Sequence, residues 1–199
     1  MAAVVGVSAA GLREFITDAD PPLSMSDLPE GVAVRPYEPT DADAFWELKR
    51  GFELGIGEGT GGDDKLDTYE AKLTDDYRER YLSWVARCTT DDPGCVVVAE
   101  AEKGEDDTEP SLAGYAFALP EEMTFIWDAA VLNEIFLAPE FRGTGVADAL
   151  MQAVLDHARS QDLPLDRMVL DVDEANDRAR AFYDRYGFDH WGELVARDL

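Results

Sequence analysis

The sequence predicts an α/β fold in which helices cover a mixed β-sheet. Its 199 residues are enough for one domain with a hydrophobic core. Short runs of β-branched and apolar residues alternate with longer stretches whose apolar residues recur at helical spacing, which is typical of this class. No apolar run approaches the ~20 residues that a membrane span requires, so we expect no membrane association.

The predicted elements run in the order strand, two helices, three strands, helix, strand, helix and strand. Thr40 or Asp41 can cap the first helix. The glycine-rich stretch from Gly55 to Gly62 is expected to end that helix in a loop, and the second helix is expected at roughly 67–87. The predicted strands are GVAVRPY, CVVVAEA, SLAGYAFAL, AVLNEIFL, RMVLDVD and a final region in FDHWGELVARDL, of which CVVVAEA and SLAGYAFAL form an antiparallel hairpin.

Residues 1–30 are predicted to be an N-terminal extension, because they contain three prolines and many small residues. The folded domain is then expected over residues 31–199. The first fifteen residues are mildly apolar but have no basic leader and include Arg13 and Glu14. A signal peptide is therefore not expected, and the cytoplasm is the default location.

The formal net charge is −26, from 43 acidic and 17 basic residues. The acidic residues are dispersed along the chain, and only four of the basic residues are lysines. Dispersed charge of one sign destabilises a compact state unless salt screens it, and the Debye length falls to ~3 Å at 1 M salt. The composition thus favours a protein of a halophilic cell, with an ordinary acidic protein as the alternative. Because no basic patch is visible, nucleic-acid binding is not expected.

The cysteines and histidines give no indication of a metal site. Cys88 and Cys95 have no neighbouring ligand at zinc-binding spacing, and both are expected to be reduced thiols. His157 and His190 are isolated in the sequence. We therefore expect no metal.

The segment LAPEFRGTGVADAL indicates a site for a phosphate or pyrophosphate. An apolar strand ends at Leu137, and a turn with Gly143 and Gly145 leads into a helix. Glycines allow a ligand close to the backbone, and the first turn of a helix presents unpaired amides at the positive end of its dipole. Arg142 adds a charged donor. The spacing fits neither the Walker nor the dinucleotide-binding pattern, and many such turns bind nothing.

A second group of polar residues lies in the helix NDRARAFYDRYGF. Asn176, Ala179 and Tyr183 are spaced to share one helix face. That face carries an amide, a small residue and a phenol, while Phe182 can pack in the core. Considered alone, Tyr183 could equally be a packing aromatic.

Together the two motifs resemble the GNAT superfamily of acetyltransferases. RGTGVA (142–147) is similar to that family's first motif, residues 176–188 are similar to its second, and VRPYEPTDADAFWEL (34–48) is similar to its usual first strand and helix. The resemblance covers about 32–199. It implies a central, mostly antiparallel mixed sheet with two splayed parallel strands, flanked by about four helices. The end of the chain is shorter than in many members, so the pairing of the last strand is open.

The resemblance also implies acetyl transfer from acetyl-CoA to an amine. Residues 142–147 would hold the pyrophosphate, and the backbone of residues 135–137 would pair with the pantetheine arm as an added strand does. Asn176 would bond to the cofactor's amide chain, and Tyr183 would be the general acid. Glu134 is the candidate general base, with a structural or substrate-orienting role as the alternative. The candidate cofactor-binding residues are Ile135, Phe136, Leu137, Arg142, Gly143, Thr144, Gly145, Val146, Ala147 and Asn176.

The acceptor is not readable from the sequence. A small-molecule amine, a protein N-terminus or a lysine side chain all fit, and a homodimer is left open. In the family, segments corresponding to Gly51–Leu66 and Pro120–Ala130 border the acceptor. Aromatic and acidic residues there would suit an ammonium group: Phe52, Glu53, Glu58, Asp63, Asp64, Phe125, Trp127 and Asp128. The alternatives are a module that binds acyl-CoA without catalysis and an unrelated phosphate-binding α/β protein.

Overall fold

A computed structural model of the chain describes residues 28–60, 62–102 and 111–197. The described strands are β1 (Val32–Pro36), β2 (Val96–Ala101), β3 (Ser111–Ala118), β4 (Ala130–Leu137) and β5 (Met168–Leu170). The described α-helices are α1 (Ala42–Thr60), α2 (Gly62–Ala71), α3 (Asp75–Asp91), α4 (Val146–Ser160) and α5 (Asp177–Asp184). The predicted α/β class is confirmed. Residues 1–27 lie outside the described part, so the extension over 1–30 stays a prediction.

The sheet is mixed, with the strand order β1-β2-β3-β4-β5. Neighbours are antiparallel from β1 to β4, whereas β4 and β5 run parallel. This last pairing joins only Ala130–Leu132 to Met168–Leu170, although β4 continues to Leu137. The two parallel strands therefore part from residue 133 onward, which is the predicted splay.

Each face of the sheet is covered by a separate hydrophobic cluster. On one face, α1 and α3 contribute Phe45, Tyr81 and Val85, which pack with Tyr115 and Phe117 of β3. On the other face, α4 buries its apolar side against β2, β3 and β4, and the aromatic residues of α5 pack at the margin. The helices thus fix β4 from both sides while its edge toward β5 stays open.

A β-bulge changes the direction of the side chains in the middle of β4. Phe117 of β3 lies opposite Glu134, but the next residue, Ala118, lies opposite Leu132. Asn133 is therefore the extra residue on β4. Because side chains alternate along a regular strand, an extra residue moves Glu134 to the face opposite Leu132. Leu132 packs with the α4 cluster, while Glu134 contacts Tyr81 and Tyr115 of the α1–α3 cluster.

The first helix ends within the glycine-rich stretch Gly55–Gly62, as expected, but most of that stretch is helix rather than loop. α1 continues to Thr60, and α2 begins at Gly62. Glycine costs about 1 kcal/mol in a helix but does not block it, and α1 is anchored by buried ion pairs of Lys49 and Glu53. Gly51 even serves packing, because a Cβ there would lie 2.8 Å from the ring of Phe136.

Two other predicted elements differ from the structure. The helix expected at 67–87 is split into α2 and α3, and Thr74 caps α3 by accepting a hydrogen bond from the amide of Tyr77 at 3.2 Å. The final strand expected in FDHWGELVARDL does not form within residues 189–197, where every residue is exposed. β5 is therefore the outermost described strand on that side of the sheet.

Candidate active site

The turn between β4 and α4 has the geometry of an anion cradle. Gly143 has φ of 79° and Gly145 has φ of 86°, a left-handed conformation that favours glycine. Gly145 is the N-cap of α4. The hydroxyl of Thr144 donates to the carbonyl of Phe141 at 2.6 Å and so closes the turn from within.

The amides of residues 143–148 have no hydrogen-bond partner among the described residues. They lie at the positive end of the dipole of α4, where an anion is stabilised. Arg142 is exposed beside them, and its guanidinium lies 5.9 Å from the ring centre of Phe136. Val146 is buried and Ala147 is half-buried, so these two contribute amides rather than side chains.

The open edge of β4 leads directly into this turn. Phe136 and Leu137 pair with Tyr115 and Gly114 of β3 on one side. On the other side, no described strand pairs with β4 after Leu132. The backbone of residues 133–137 can therefore accept an extended ligand as an additional strand.

Helix α5 carries the second motif. Asn176 is not in the helix but caps it, with its side-chain oxygen accepting from the amide of Ala179 at 3.1 Å. Tyr183 packs against the rings of Phe182 and Phe188, and no described residue hydrogen-bonds its hydroxyl. Burial raises the pKa of Tyr183 to about 12, so this phenol keeps its proton at neutral pH.

A polar clasp fixes α5 against the first turn of α4. The buried carboxylate of Asp148 accepts from the Tyr186 hydroxyl at 2.7 Å and from the Arg185 guanidinium at 3.1 Å. Burial, followed by the hydrogen bond to Asp148, raises the pKa of Tyr186 above its ordinary value. The clasp positions the helix that carries Tyr183 relative to the amide cradle.

Glu134 is buried and fully hydrogen-bonded. Its Oε1 accepts from Lys49 at 2.6 Å and from Asn133 at 3.2 Å. Its Oε2 accepts from the hydroxyls of Tyr81 at 2.9 Å and Tyr115 at 2.6 Å. A carboxylate has about four lone-pair sites, so every site of Glu134 is in use.

The candidate acid and base pack on opposite faces of the sheet. The tyrosine partners of Glu134 belong to the α1–α3 cluster, and Tyr183 packs against the α4 cluster. The structure does not bring the two side chains into contact. Only a substrate lying along the open edge of β4 could face both.

The two segments expected at the acceptor differ in what they offer. Phe125 is 77% exposed and Trp127 is 40% exposed, so neither belongs to the core. Trp127 packs edge-on against Trp191, with ring centres 6.3 Å apart. Glu53, in contrast, is buried and paired with Lys49 and Lys72, so it is not available to an external ammonium. The side chains of Glu58, Asp63 and Asp64 lie outside what the structure describes.

Sequence reasoning missed the partners of Glu134. Lys49 and Glu53 follow Phe45 at four-residue intervals, so all three lie on one face of α1. The sequence therefore did contain one signal, which is a pair of opposite charges on the same helix face as the buried Phe45. Tyr81 and Tyr115 gave no such signal, since they read as core aromatics.

The remaining polar groups do not form another site. Among the described residues, no three His, Cys, Asp or Glu side chains are grouped to hold a metal ion. Cys88 and Cys95 are buried free thiols, and burial raises the pKa of each. No helix in the described ranges is long and apolar enough to cross a membrane.

Comparison with protein families identifies the pattern. The model of the acetyltransferase (GNAT) family matches residues 62–188. A mycothiol acetyltransferase of Thermobispora bispora is 31% identical over 175 residues, which cover 85% of this chain and 50% of the relative. A mycothiol acetyltransferase of Salinispora tropica is 30% identical over 174 residues, which cover 79% of this chain and 55% of the relative. The chain thus spans about half the length of these curated relatives.

Solved structures share the fold. The PaiA N-acetyltransferase of Thermoplasma acidophilum, in complex with coenzyme A, aligns with a TM-score of 0.59 at 16% identity, over 79% of this chain and 89% of that one. Ard1 of Thermoplasma volcanium aligns with a TM-score of 0.53 at 19% identity, over 81% of this chain and 85% of that one. At such low identity these similarities establish the fold alone.

Proposed function

The chain belongs to the acetyltransferase (GNAT) family, and we propose that it transfers the acetyl group of acetyl-CoA to a primary amine. The observation that carries the proposal is the continuity of the amide cradle at residues 143–148 with the open edge of β4. A cradle for a diphosphate that continues into a free strand edge suits a ligand with a pyrophosphate and a long amide chain.

The cradle and the strand edge would bind the two parts of the cofactor. The amides of Gly143 to Ala147 would hold the pyrophosphate, with Arg142 as the exposed charged donor. The backbone of Ile135, Phe136 and Leu137 would pair with the pantetheine arm. Asn176 has its oxygen engaged in the cap of α5, which leaves its amide NH₂ to donate to the arm. A free backbone N–H on β4 would polarise the thioester carbonyl.

The chemical step would move one proton on each side of β4. The amine nitrogen forms its bond to the acetyl carbon, and the carbon–sulfur bond breaks. The amine's proton passes to Glu134, directly or through water, and Tyr183 protonates the departing thiolate. Glu134 can take that proton only if one of its four hydrogen bonds opens. The bond from Asn133 is the longest and comes from an exposed side chain.

The acceptor class we propose is a small-molecule amine, with a protein N-terminus or lysine as the alternative. The names of the mycothiol acetyltransferase relatives support a small acceptor. Trp127 and Phe125 offer exposed rings to an ammonium by cation–π contact. Glu53 has no part in acceptor binding under this proposal, because Lys49 and Lys72 neutralise it.

We also propose that the protein works in the cytoplasm of a halophilic cell. The dispersed charge of −26 supports this setting, because self-repulsion of that size is screened only by concentrated salt.

Two assays in sequence test the activity. Acetyl-CoA should raise the melting temperature of the chain, and a panel of amines should then release free thiol. Stabilisation without thiol release from any amine would favour a module that binds acyl-CoA without catalysis. Neither stabilisation nor release would contradict the proposal altogether.

The role of Glu134 is tested with an isosteric variant. Glu134→Gln should lower kcat by ~10²–10⁴, the range for loss of a general base, and leave the Kd for acetyl-CoA unchanged. Glu193→Gln, at an exposed position, is the matched control. Wild-type kcat in a folded Glu134→Gln variant would assign the base to another group.

A further inference from the structure

A cluster of four charged side chains, three of them buried, lies beside the open edge of β4. We define the charge cluster as Lys49, Glu53, Lys72 and Glu134. The ammonium of Lys49 lies 2.6 Å from Glu134 and 2.7 Å from Glu53, and the ammonium of Lys72 lies 2.6 Å from Glu53. The four groups form one chain of ion pairs with no net charge.

Three members of the cluster are almost fully buried. Lys49 is 2% exposed, Glu53 is 3% exposed and Glu134 is 7% exposed. Burying ions is costly, and an ion pair rarely recovers more than that cost. The chain has only four lysines among its 17 basic residues, yet two of them lie here. Neither stability nor the charge of the surface therefore explains why a lysine lies in this interior.

Side chains from three elements fix both oxygens of Glu134. Lys49 comes from α1, Tyr81 from α3 and Tyr115 from β3. Burial, followed by the negative charge of Glu134, raises the pKa of both tyrosines, so they remain donors. Burial alone would raise the pKa of Glu53, but Lys49 and Lys72 outweigh it and hold that pKa below its ordinary value.

We propose that Lys49 is a positioning residue that holds the Glu134 carboxylate as an oriented anion. In this orientation, the acceptor amine or a water molecule can reach Glu134 at the Oε1 lone pair that faces the exposed Asn133. Lys49 does not touch the substrate. The inference rests on the proposed function, because it assigns a role to a group that prepares the candidate base.

Two double variants that both keep the cluster neutral test the proposal. Lys49→Met/Glu53→Gln removes the partner of Glu134 and leaves Lys72. Lys72→Met/Glu53→Gln is the control, since it removes the outer pair and leaves Lys49 on Glu134. We expect kcat of the first to fall by about 10²-fold relative to the second, the scale of a misplaced catalytic group. The Kd for acetyl-CoA should stay within about twofold in both, because the cradle is remote from these changes.

A split between turnover and binding separates positioning from simple support of the fold. Lys49→Met/Glu53→Gln removes the one cation that contacts Glu134 among the described residues. A positioning role predicts that this variant loses kcat while its melting temperature and its Kd for acetyl-CoA match those of Lys72→Met/Glu53→Gln. Lys49→Gln/Glu53→Gln keeps a hydrogen-bond donor without charge, and it should show the same split if the methionine variant does not fold. Equal kcat in the two methionine variants, or a loss of acetyl-CoA affinity that matches the loss of kcat, would overturn the proposal.

The structure of the variant distinguishes this inference from the proposed activity. If the wild-type chain released no thiol with any amine, the activity would fail, and a crystal structure of Lys49→Met/Glu53→Gln would still decide the inference. We expect the Glu134 carboxylate to leave its place between Tyr81 and Tyr115. An unchanged carboxylate orientation would show that Lys49 does not position it.

Discussion

The amide cradle at residues 143–148 and the charge cluster lie on the two sides of β4 and are built from different parts of the chain. The cradle is one continuous turn that offers backbone amides to an exposed surface. The cluster joins buried side chains of α1 and β4 to Lys72, which follows α2 and is partly exposed. The cradle depends on the local conformation of one segment, whereas the setting of the Glu134 carboxylate depends on side chains that are distant in the sequence.

Adding a side chain and a charge in the cradle should have the largest effect. Gly145→Glu is expected to abolish cofactor binding, because Gly145 has φ of 86° and the new carboxylate would face the pyrophosphate. Two like charges 4 Å apart repel by about 4 kcal/mol at an effective dielectric of about 20, which corresponds to about 10³-fold in Kd. Calorimetry with acetyl-CoA measures this.

Gly192→Glu is the matched control for that experiment. It adds the same charge at an exposed position where a Cβ meets nothing within 4 Å, and it should bind acetyl-CoA as the wild type does. Unchanged affinity in a folded Gly145→Glu variant would show that the pyrophosphate lies elsewhere.

Removing the Tyr183 hydroxyl should affect turnover but not the cradle. Tyr183→Phe is expected to lower kcat by ~10²–10⁴ if proton donation limits the rate, with an unchanged Kd for acetyl-CoA. Tyr37→Phe, a buried tyrosine of the opposite hydrophobic cluster, is the control. Wild-type kcat in Tyr183→Phe would mean that the thiolate leaves without this acid or that another group donates the proton.

The sequence predicted the glycine turn that leads into α4 but not the contacts of the charge cluster, and the reason is physical. Backbone sites depend on local conformation, so Gly143 and Gly145 before an apolar helix are sufficient to indicate one. The setting of Glu134 depends on Lys49, Tyr81 and Tyr115, which are 85, 53 and 19 residues away, and on a bulge that turns the side chain to their face. No local pattern encodes those contacts.

The same distinction applies to the elements of the fold. The five described strands were predicted because alternating and β-branched runs are local signals. The length of α1 was not predicted, because its glycines are weak helix formers and its ion pairs are made with Glu134 of β4 and with Lys72. A final strand was expected in FDHWGELVARDL, but residues 189–197 form no strand and all of them are exposed.

The buried tyrosines should make the fold sensitive to alkali. Burial raises the pKa of Tyr183 to about 12, and the pKa values of Tyr81 and Tyr115 are raised by burial and by the charge of Glu134. Folding then favours the protonated phenols, whose ordinary pKa is about 10. Stability should be complete below about pH 10 and fall as the pH rises toward about 12.

Melting curves between about pH 8 and pH 11 test this sign. The melting temperature should fall steeply above about pH 10, and Tyr81→Phe should reduce the slope because one raised group is absent. A melting temperature that is constant across this range would contradict the assigned burial of these phenols.

Salt should act on the dispersed surface charge and leave the charge cluster largely unaffected. The melting temperature is expected to rise with KCl up to molar concentrations, because screening weakens the repulsion that follows from a net charge of −26. Lys49→Met/Glu53→Gln should show the same salt response as the wild type, since buried pairs are screened much less. A melting temperature that does not change between low and molar KCl would count against the halophilic setting.

Trimming the exposed aromatic surface should give the smallest effect and concerns the acceptor. Trp127 is 40% exposed and packs edge-on with Trp191. If its ring contacts an ammonium, Trp127→Ala should raise the acceptor KM by roughly two- to fivefold, as expected from ~0.5–1 kcal/mol for an exposed cation–π contact. The Kd for acetyl-CoA should not change, because the cradle and the open edge of β4 are not altered.

Trp191→Ala is the control for Trp127→Ala, since it removes the packing partner but not the ring assigned to the acceptor. Equal losses of acceptor and cofactor affinity in Trp127→Ala would instead assign Trp127 to support of the fold, and an unchanged KM would place the acceptor away from Pro120–Ala130.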